Sequence, residues 1–138
     1  RDVAPSRGLG DVYKEADDKL TVCNINADKD LLKRAISNLI QNSITHNENG
    51  CAIYVSVSTY NNKCIICVED NGIGVSDEQI EKLNHTPHYM VCDTNTTEQR
   101  HGLGLLIVKQ IMDGHSGTVI IEHSEYYGGF KTELTIPL

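Results

Sequence analysis

The sequence predicts an α/β two-layer sandwich: a mixed, mostly antiparallel sheet of about five strands, covered on one face by about three helices. Three observations carry that expectation. Short runs of alternating apolar and polar residues are joined by tight-turn dipeptides, the mark of β-hairpins. Two longer stretches with helical spacing, at about 28–45 and 103–113, are interleaved with them. The chain has 138 residues, which fits one domain, and a domain near that size removes roughly 70% of its unfolded-state surface without needing disulfide or metal staples.

Residues 1–16, with Pro5, Gly8, Gly10 and scattered charges, read as a linker ahead of a domain at 17–138. Leu20, Val22 and Ile25 suggest a short first strand. Asp28 is placed to cap a helix through about Thr45, with Leu32, Ala35, Ile36, Leu39, Ile40 and either Ser43 or Ile44 on its apolar side. Asn49-Gly50 ends that region as a turn. Ile53, Val55 and Val57 alternate with Tyr54, Ser56 and Ser58, and beyond Asn61-Asn62 the apolar run resumes from Cys64 to Val68, which completes a hairpin. A short helix is expected near 76–83, then a polar segment over 84–101 whose length suggests a functional role. The second long helix follows, broken by Gly114 and Gly117. Strands at 118–122 and 130–136, joined by Gly128-Gly129, close the chain.

Nineteen acidic residues against twelve basic ones give a formal charge of −7. That excess argues against binding to a nucleic acid backbone, which needs clustered Lys and Arg. It also makes the capture of any anion a local task for backbone amides, a metal ion and one or two placed cations. No apolar run approaches the roughly 20 residues of a membrane span. Five cysteines, Cys23, Cys51, Cys64, Cys67 and Cys92, show no framework spacing. Cys64 and Cys67 fall on a strand, where positions three apart face opposite ways and cannot pinch one zinc, so buried free thiols and a reducing, cytoplasmic compartment are expected.

Three segments carry chemistry. On the first helix Asn38, Asn42, Thr45 and His46 make a polar stripe about 100° from the apolar one. Asparagine is a poor interior helix residue, and its carbonyl oxygen suits magnesium that also holds phosphates and waters; a solvated helix face would look the same. Next, Asp70-Asn-Gly-Ile-Gly74 directly follows a strand. Its glycines allow a sharp turn and the approach of a flat ligand, and Asp70 could accept from an exocyclic amine such as that of adenine. Guanine would oppose an oxygen to the carboxylate, and an unmet buried acceptor costs about 1–3 kcal/mol, so adenine should win by roughly 5- to 150-fold. A capped tight turn is the alternative. Finally, Arg100-His-Gly-Leu-Gly-Leu105 is expected to open the second helix, where amides at the positive end of the dipole suit phosphate. It is neither a P-loop nor a Rossmann fingerprint.

In this order the three segments resemble the N, G1 and G2 boxes of the GHKL ATP-binding fold, and within it the catalytic domain of bacterial sensor histidine kinases. The resemblance covers about residues 20–138. It implies ATP bound with Mg²⁺ under a mobile lid formed by residues 75–101, with Asn42 on the metal and Asn38 near the phosphates. It also implies that Asp70 reads adenine while Gly72, Ile73 and Gly74 shape the base pocket. Thr45 and His46 of the N box, and Arg100, His101, Gly102, Leu103, Gly104 and Leu105 of the G2 box, complete the implied nucleotide site. The implied reaction transfers the γ-phosphoryl of Mg-ATP to a histidine on a separate upstream dimerisation domain. The implied whole is a membrane-anchored homodimer, with this domain in the cytoplasm and a response regulator as partner.

The sequence also departs from the family pattern. Asn38 stands where ATPase and serine-kinase members carry a glutamate general base, which favours a histidine phosphoacceptor. Thr45 replaces a frequent lysine, Arg100-His101 replaces a glycine-rich pair, and the F box is missing, with Tyr89 as its candidate substitute. No histidine precedes His46, and His85-Thr-Pro-His88 falls in the lid, so the acceptor is expected outside this chain; His115 and His123 read as structural. Two alternatives compete with the kinase reading: a nucleotide-binding regulatory module without phosphotransfer, and a GHKL ATPase or serine kinase.

Overall fold

A computed structural model describes residues 24–85 and 97–138, with side chains from residue 104 onward in the second stretch. Leu20, Val22, Tyr89 and His88 lie outside the described residues, and Ile25 packs against the core without joining a strand. The elements are α1 (Lys29–His46), β1 (Ile53–Tyr60), β2 (Lys63–Asp70), α2 (Asp77–His85), α3 (Thr97–Gly114), β3 (Thr118–His123) and β4 (Phe130–Pro137).

Asp28 caps α1 as its sequence predicts, accepting from the Leu31 amide at 3.0 Å. Its own amide donates to His115 Nε2 at 2.9 Å, while His115 Nδ1 lies 2.8 Å from the Ile111 carbonyl. One ring nitrogen accepts, so the other carries the proton, and the neutral imidazole ties the start of α1 to the end of α3. In the β1–β2 hairpin both Asn61 and Asn62 have positive φ, 52° and 63°. That pair is what a two-residue turn matching strand twist demands, and asparagine tolerates it.

Four strands form the sheet in the order β1-β2-β4-β3, and every pairing is antiparallel. The expected mixed sheet is therefore corrected among the described strands, and the reason is topological. The helices carry the chain from the Asp70 end back to the opposite end, so β3 does run parallel to β2, but β4 inserts between them. Cys64, Ile66 and Val68 of β2 and Leu134 and Ile136 of β4 pack on Ala35 and Leu39 of α1 and on Val108 and Met112 of α3. On α1 the apolar stripe closes with Ser43, which is buried, while Ile44 is exposed.

Cys64 and Cys67 do face opposite ways, and both are free thiols, as is Cys51. Cys67 lies on the outer face beside Glu133, and burial above all pushes its thiol up to about 11. Nearby Lys131 lies 3.7 Å from Glu122 and 4.0 Å from Glu133. Burial works to lower its ammonium, but Cys67, Glu122, Glu69 and Glu133 outweigh that and raise it.

Within the stretch read as the lid, residues 77–85 form α2, the short helix expected near 76–83. Ser76 caps α2 by accepting from the Gln79 amide, and Val75, Ile80 and Leu83 pack against the core. Asn84 donates to the Ile121 carbonyl at 2.8 Å and accepts from the Ile121 amide at 2.9 Å, so its carboxamide serves the edge strand β3 as a further strand would. Lys109 Nζ donates to the Leu83 carbonyl, and burial chiefly, opposed by Asp113, lowers its ammonium.

Candidate functional site

The C-terminal half of α1, the turn after β2, the body of α3 and the β3–β4 loop converge at one end of the sheet. Asn42 lies on the α1 face turned toward α3, where it is 8% exposed. A Cβ on Gly104 would stand 2.7 Å from its Oδ1 and 3.1 Å from its Nδ2, so only glycine lets the two helices close here. Among the described residues, the Nδ2 atoms of Asn42 and of Asn38, one turn earlier, are buried without a hydrogen-bond partner. Buried polar atoms are nearly always satisfied, so two orphans one helical turn apart mark a place that expects a polar ligand.

Asp70 ends β2 and is 1% exposed. Its Oδ1 accepts from the Gly72 amide at 2.9 Å and the Phe130 amide at 3.1 Å, and its Oδ2 accepts from Ser43 Oγ at 2.8 Å. The side chain therefore caps the turn, as one of the two readings expects, and Oδ2 takes the Ser43 hydroxyl. The turn is gripped from α1 as well. Asn47 Oδ1 accepts from the Ile73 amide at 2.9 Å while its Nδ2 donates to the Ser43 carbonyl at 2.8 Å, and His46 Nε2 lies 3.0 Å from the Gly74 carbonyl. A side chain on Gly72 would collide with Asn47, and one on Gly129 would collide with Asp70 and the Gly72 amide, so α1, turn and loop pack backbone to side chain. Ile73 is left pointing out, 78% exposed between its two glycines. Cys51, beside this cluster, has its thiol raised first by burial and then by the Asp70 charge.

Other predicted site residues sit differently. Thr45 is exposed, and its hydroxyl accepts from Gln41 Nε2 at 3.4 Å. Leu105 is a core residue, packed with Val108 and Met112 on the buried stripe of α3. The helix begins at Thr97, six residues ahead of the expected start at Leu103, which places Arg100, His101, Gly102, Leu103 and Gly104 within α3. The opening turn of α3 is then the one that begins at Thr97, and Gly102 and Gly104 lie beyond it. The physical reason is on the facing helix: Gly104 is glycine because Asn42 packs against it, not because a helix opens there. Sequence reasoning also passed over Asn47 and Gly129, which look like ordinary turn residues. Ser43 left a signal, a hydroxyl on an otherwise apolar stripe.

No group of three His, Cys, Asp or Glu side chains among the described residues could hold a metal ion. A cation here would have to share its coordination with ligand oxygens and water around a neutral amide, which is how magnesium accompanies phosphates. Residues 27–138 match the family model described as "Histidine kinase-, DNA gyrase B-, and HSP90-like ATPase", HATPase_c. The chain belongs to the HATPase_c family.

Relatives of this HATPase_c domain agree with that placement. It is 30% identical over 133 residues to the signal transduction histidine-protein kinase BaeS of Escherichia coli, covering 96% of this chain and 27% of BaeS. It is 36% identical over 115 residues to the sensor histidine kinase YclK of Bacillus subtilis, covering 83% of this chain and 24% of YclK. Among solved structures, the nucleotide-free catalytic domain of histidine kinase ThkA superposes with a TM-score of 0.64 at 25% identity, over 97% of this chain and 92% of that one. The histidine kinase domain of the E. coli osmosensor EnvZ gives 0.59 at 32% identity, over 83% and 68%. The chain thus spans about a quarter of the length of these two curated relatives.

Proposed function

We propose that this domain binds Mg-ATP and presents its γ-phosphoryl group to a histidine on a separate, upstream dimerisation domain of a two-component sensor kinase. The observation that carries the reading is the pair of orphaned amides on Asn38 and Asn42, one helical turn apart, with Asn42 packed against Gly104 of α3. Asn42 is the residue for the metal: an asparagine amide can turn to offer its oxygen, and burial against Gly104 fixes where it sits. Bound there, magnesium supplies charge neutralisation for the phosphates. Asn38 sits one turn away, toward the phosphates, and the free amides at the start of α3 add the dipole's positive end. Asp70 accepts the adenine amine, and Ile73 with Gly72 and Gly74 covers the base. Arg100 and His101 belong to the phosphate side.

The domain's own work is then binding and orientation, because in-line phosphoryl transfer depends on positioning and charge more than on covalent help from the protein. The absence of a carboxylate at Asn38 fits an imidazole nucleophile, which needs no strong base. A homodimeric, membrane-anchored whole protein with a response regulator as its phosphoryl acceptor belongs to the same reading. The exposed Thr45, held by Gln41 where family members often carry lysine, favours one competitor, a nucleotide-binding module without phosphotransfer.

Mixing the domain with its upstream helical domain and Mg-ATP separates the two. Acid-labile phosphohistidine on the helical domain is the expected product. ATP binding without phosphohistidine would leave the regulatory module, and failure to bind ATP would overturn both.

A further inference from the structure

Ser43 sits in mid-helix on the core side of α1, where alanine would be the better helix former and a hydroxyl must find a partner. It is 4% exposed, and its partner is Asp70, at 2.8 Å. An ionised carboxylate offers about four acceptor positions on two oxygens. The Gly72 and Phe130 amides occupy those of Oδ1, and Ser43 takes one on Oδ2. One acceptor position is left, on Oδ2, and the carboxylate is fixed at both ends.

From this count we infer that Ser43 is a specificity-determining positioning residue: by filling one side of Asp70 Oδ2, it restricts the base site to a single donor at that point and so to a 6-amino over a 6-keto purine. The inference rests on the proposal that Asp70 reads adenine, and Ser43 acts only through that carboxylate. Its physical content is what happens without the hydroxyl. Removing it opens a second acceptor position on Oδ2 and frees the carboxylate to tilt about its last torsion. A water can then occupy the vacated place and, because water both donates and accepts, bridge the carboxylate to a purine carbonyl. A 6-keto base, rejected by the parent as acceptor against acceptor, gains a route to bind.

Equilibrium titration of the parent, Ser43→Ala and Asp70→Asn with ATP and with GTP tests this, with thermal melting as a fold control. Ser43→Ala should melt as a folded protein and lose about 2- to 12-fold of its preference for ATP over GTP, the worth of one hydrogen bond. Ser43→Cys, nearly the same size with a weak donor, should fall between, and it reads the same ratio should the alanine variant fail to fold. Equal weakening of both nucleotides, or an unchanged ratio, would overturn the role of Ser43. Asp70→Asn keeps the two failures apart. If it abolishes the preference while Ser43→Ala leaves it intact, the base reading stands and Ser43 is only structural; if it retains the preference, the base reading itself falls.

Discussion

At Gly104 two effects of opposite sign can be weighed. Glycine inside a helix costs about 1 kcal/mol relative to alanine, so Gly104→Ala should help α3. The new methyl, however, would press on the Asn42 amide from 2.7 Å, and that amide, buried and 8% exposed, has little room to yield. Overpacking of this kind costs about 1–3 kcal/mol, so the two terms largely offset each other in stability. They do not offset in the site, because the Asn42 carboxamide must shift whichever term is larger. Gly104→Ala should therefore stay within about 1–2 kcal/mol of the parent in denaturant unfolding while losing about tenfold or more in ATP affinity by calorimetric titration, equivalent to roughly 1.4 kcal/mol. Parent-like affinity would detach Asn42 from the ligand. The same residue shows how legible the site was: the motif glycines and asparagines announced themselves by type and spacing, whereas the grip of Asn47 on the turn depends on a fold that brings positions 47 and 73 together.

The helix α2 and the strand β3 hold each other through one side chain. An edge strand exposes a row of unpaired amides and carbonyls, and Asn84 satisfies both backbone groups of Ile121. Asn84→Ala should cost about 1–3 kcal/mol, because two buried-side bonds are lost and only water can replace them. The decisive readout is local: hydrogen exchange at the Ile121 amide should speed up more than at Leu134, which pairs inside the sheet. Uniform acceleration would mean that Asn84 contributes to global stability alone. At this scale the sequence was legible wherever local chemistry sufficed. Asp28 capping, the Asn61-Asn62 turn and the alternation of β1 follow from nearest neighbours. The start of α3 did not, since glycines at 102 and 104 mimic a helix opening until the facing Asn42 is known. The order of strands was hidden for a similar reason: only the packing of the helices decides that β4 enters between β2 and β3.

The molecule as a whole carries a charge of −7 and is proposed to bind a nucleotide triphosphate that is itself highly anionic. At 0.1 M ionic strength the screening length is roughly 10 Å, so the distant carboxylates count for little and the groups touching the phosphates decide. On the proposed reading those groups are a neutral amide at Asn42, the first-turn amides of α3 and Arg100, with magnesium as the strongest local positive charge. A surface that captured phosphates with many lysines would release many counterions and weaken steeply with salt. Here the opposite balance is expected. Raising NaCl from about 0.05 to 0.15 M should change ATP affinity by less than about threefold, because the attraction is short-ranged and salt also screens the repulsion from the acidic surface. Chelating free magnesium at fixed ionic strength should weaken ATP by about tenfold or more, since roughly 1.4 kcal/mol is a modest share of one divalent contact. Titrations in parallel with chelator and with salt decide the matter: a steep salt dependence with indifference to magnesium would place the phosphates on scattered basic side chains instead of at Asn42 and the start of α3.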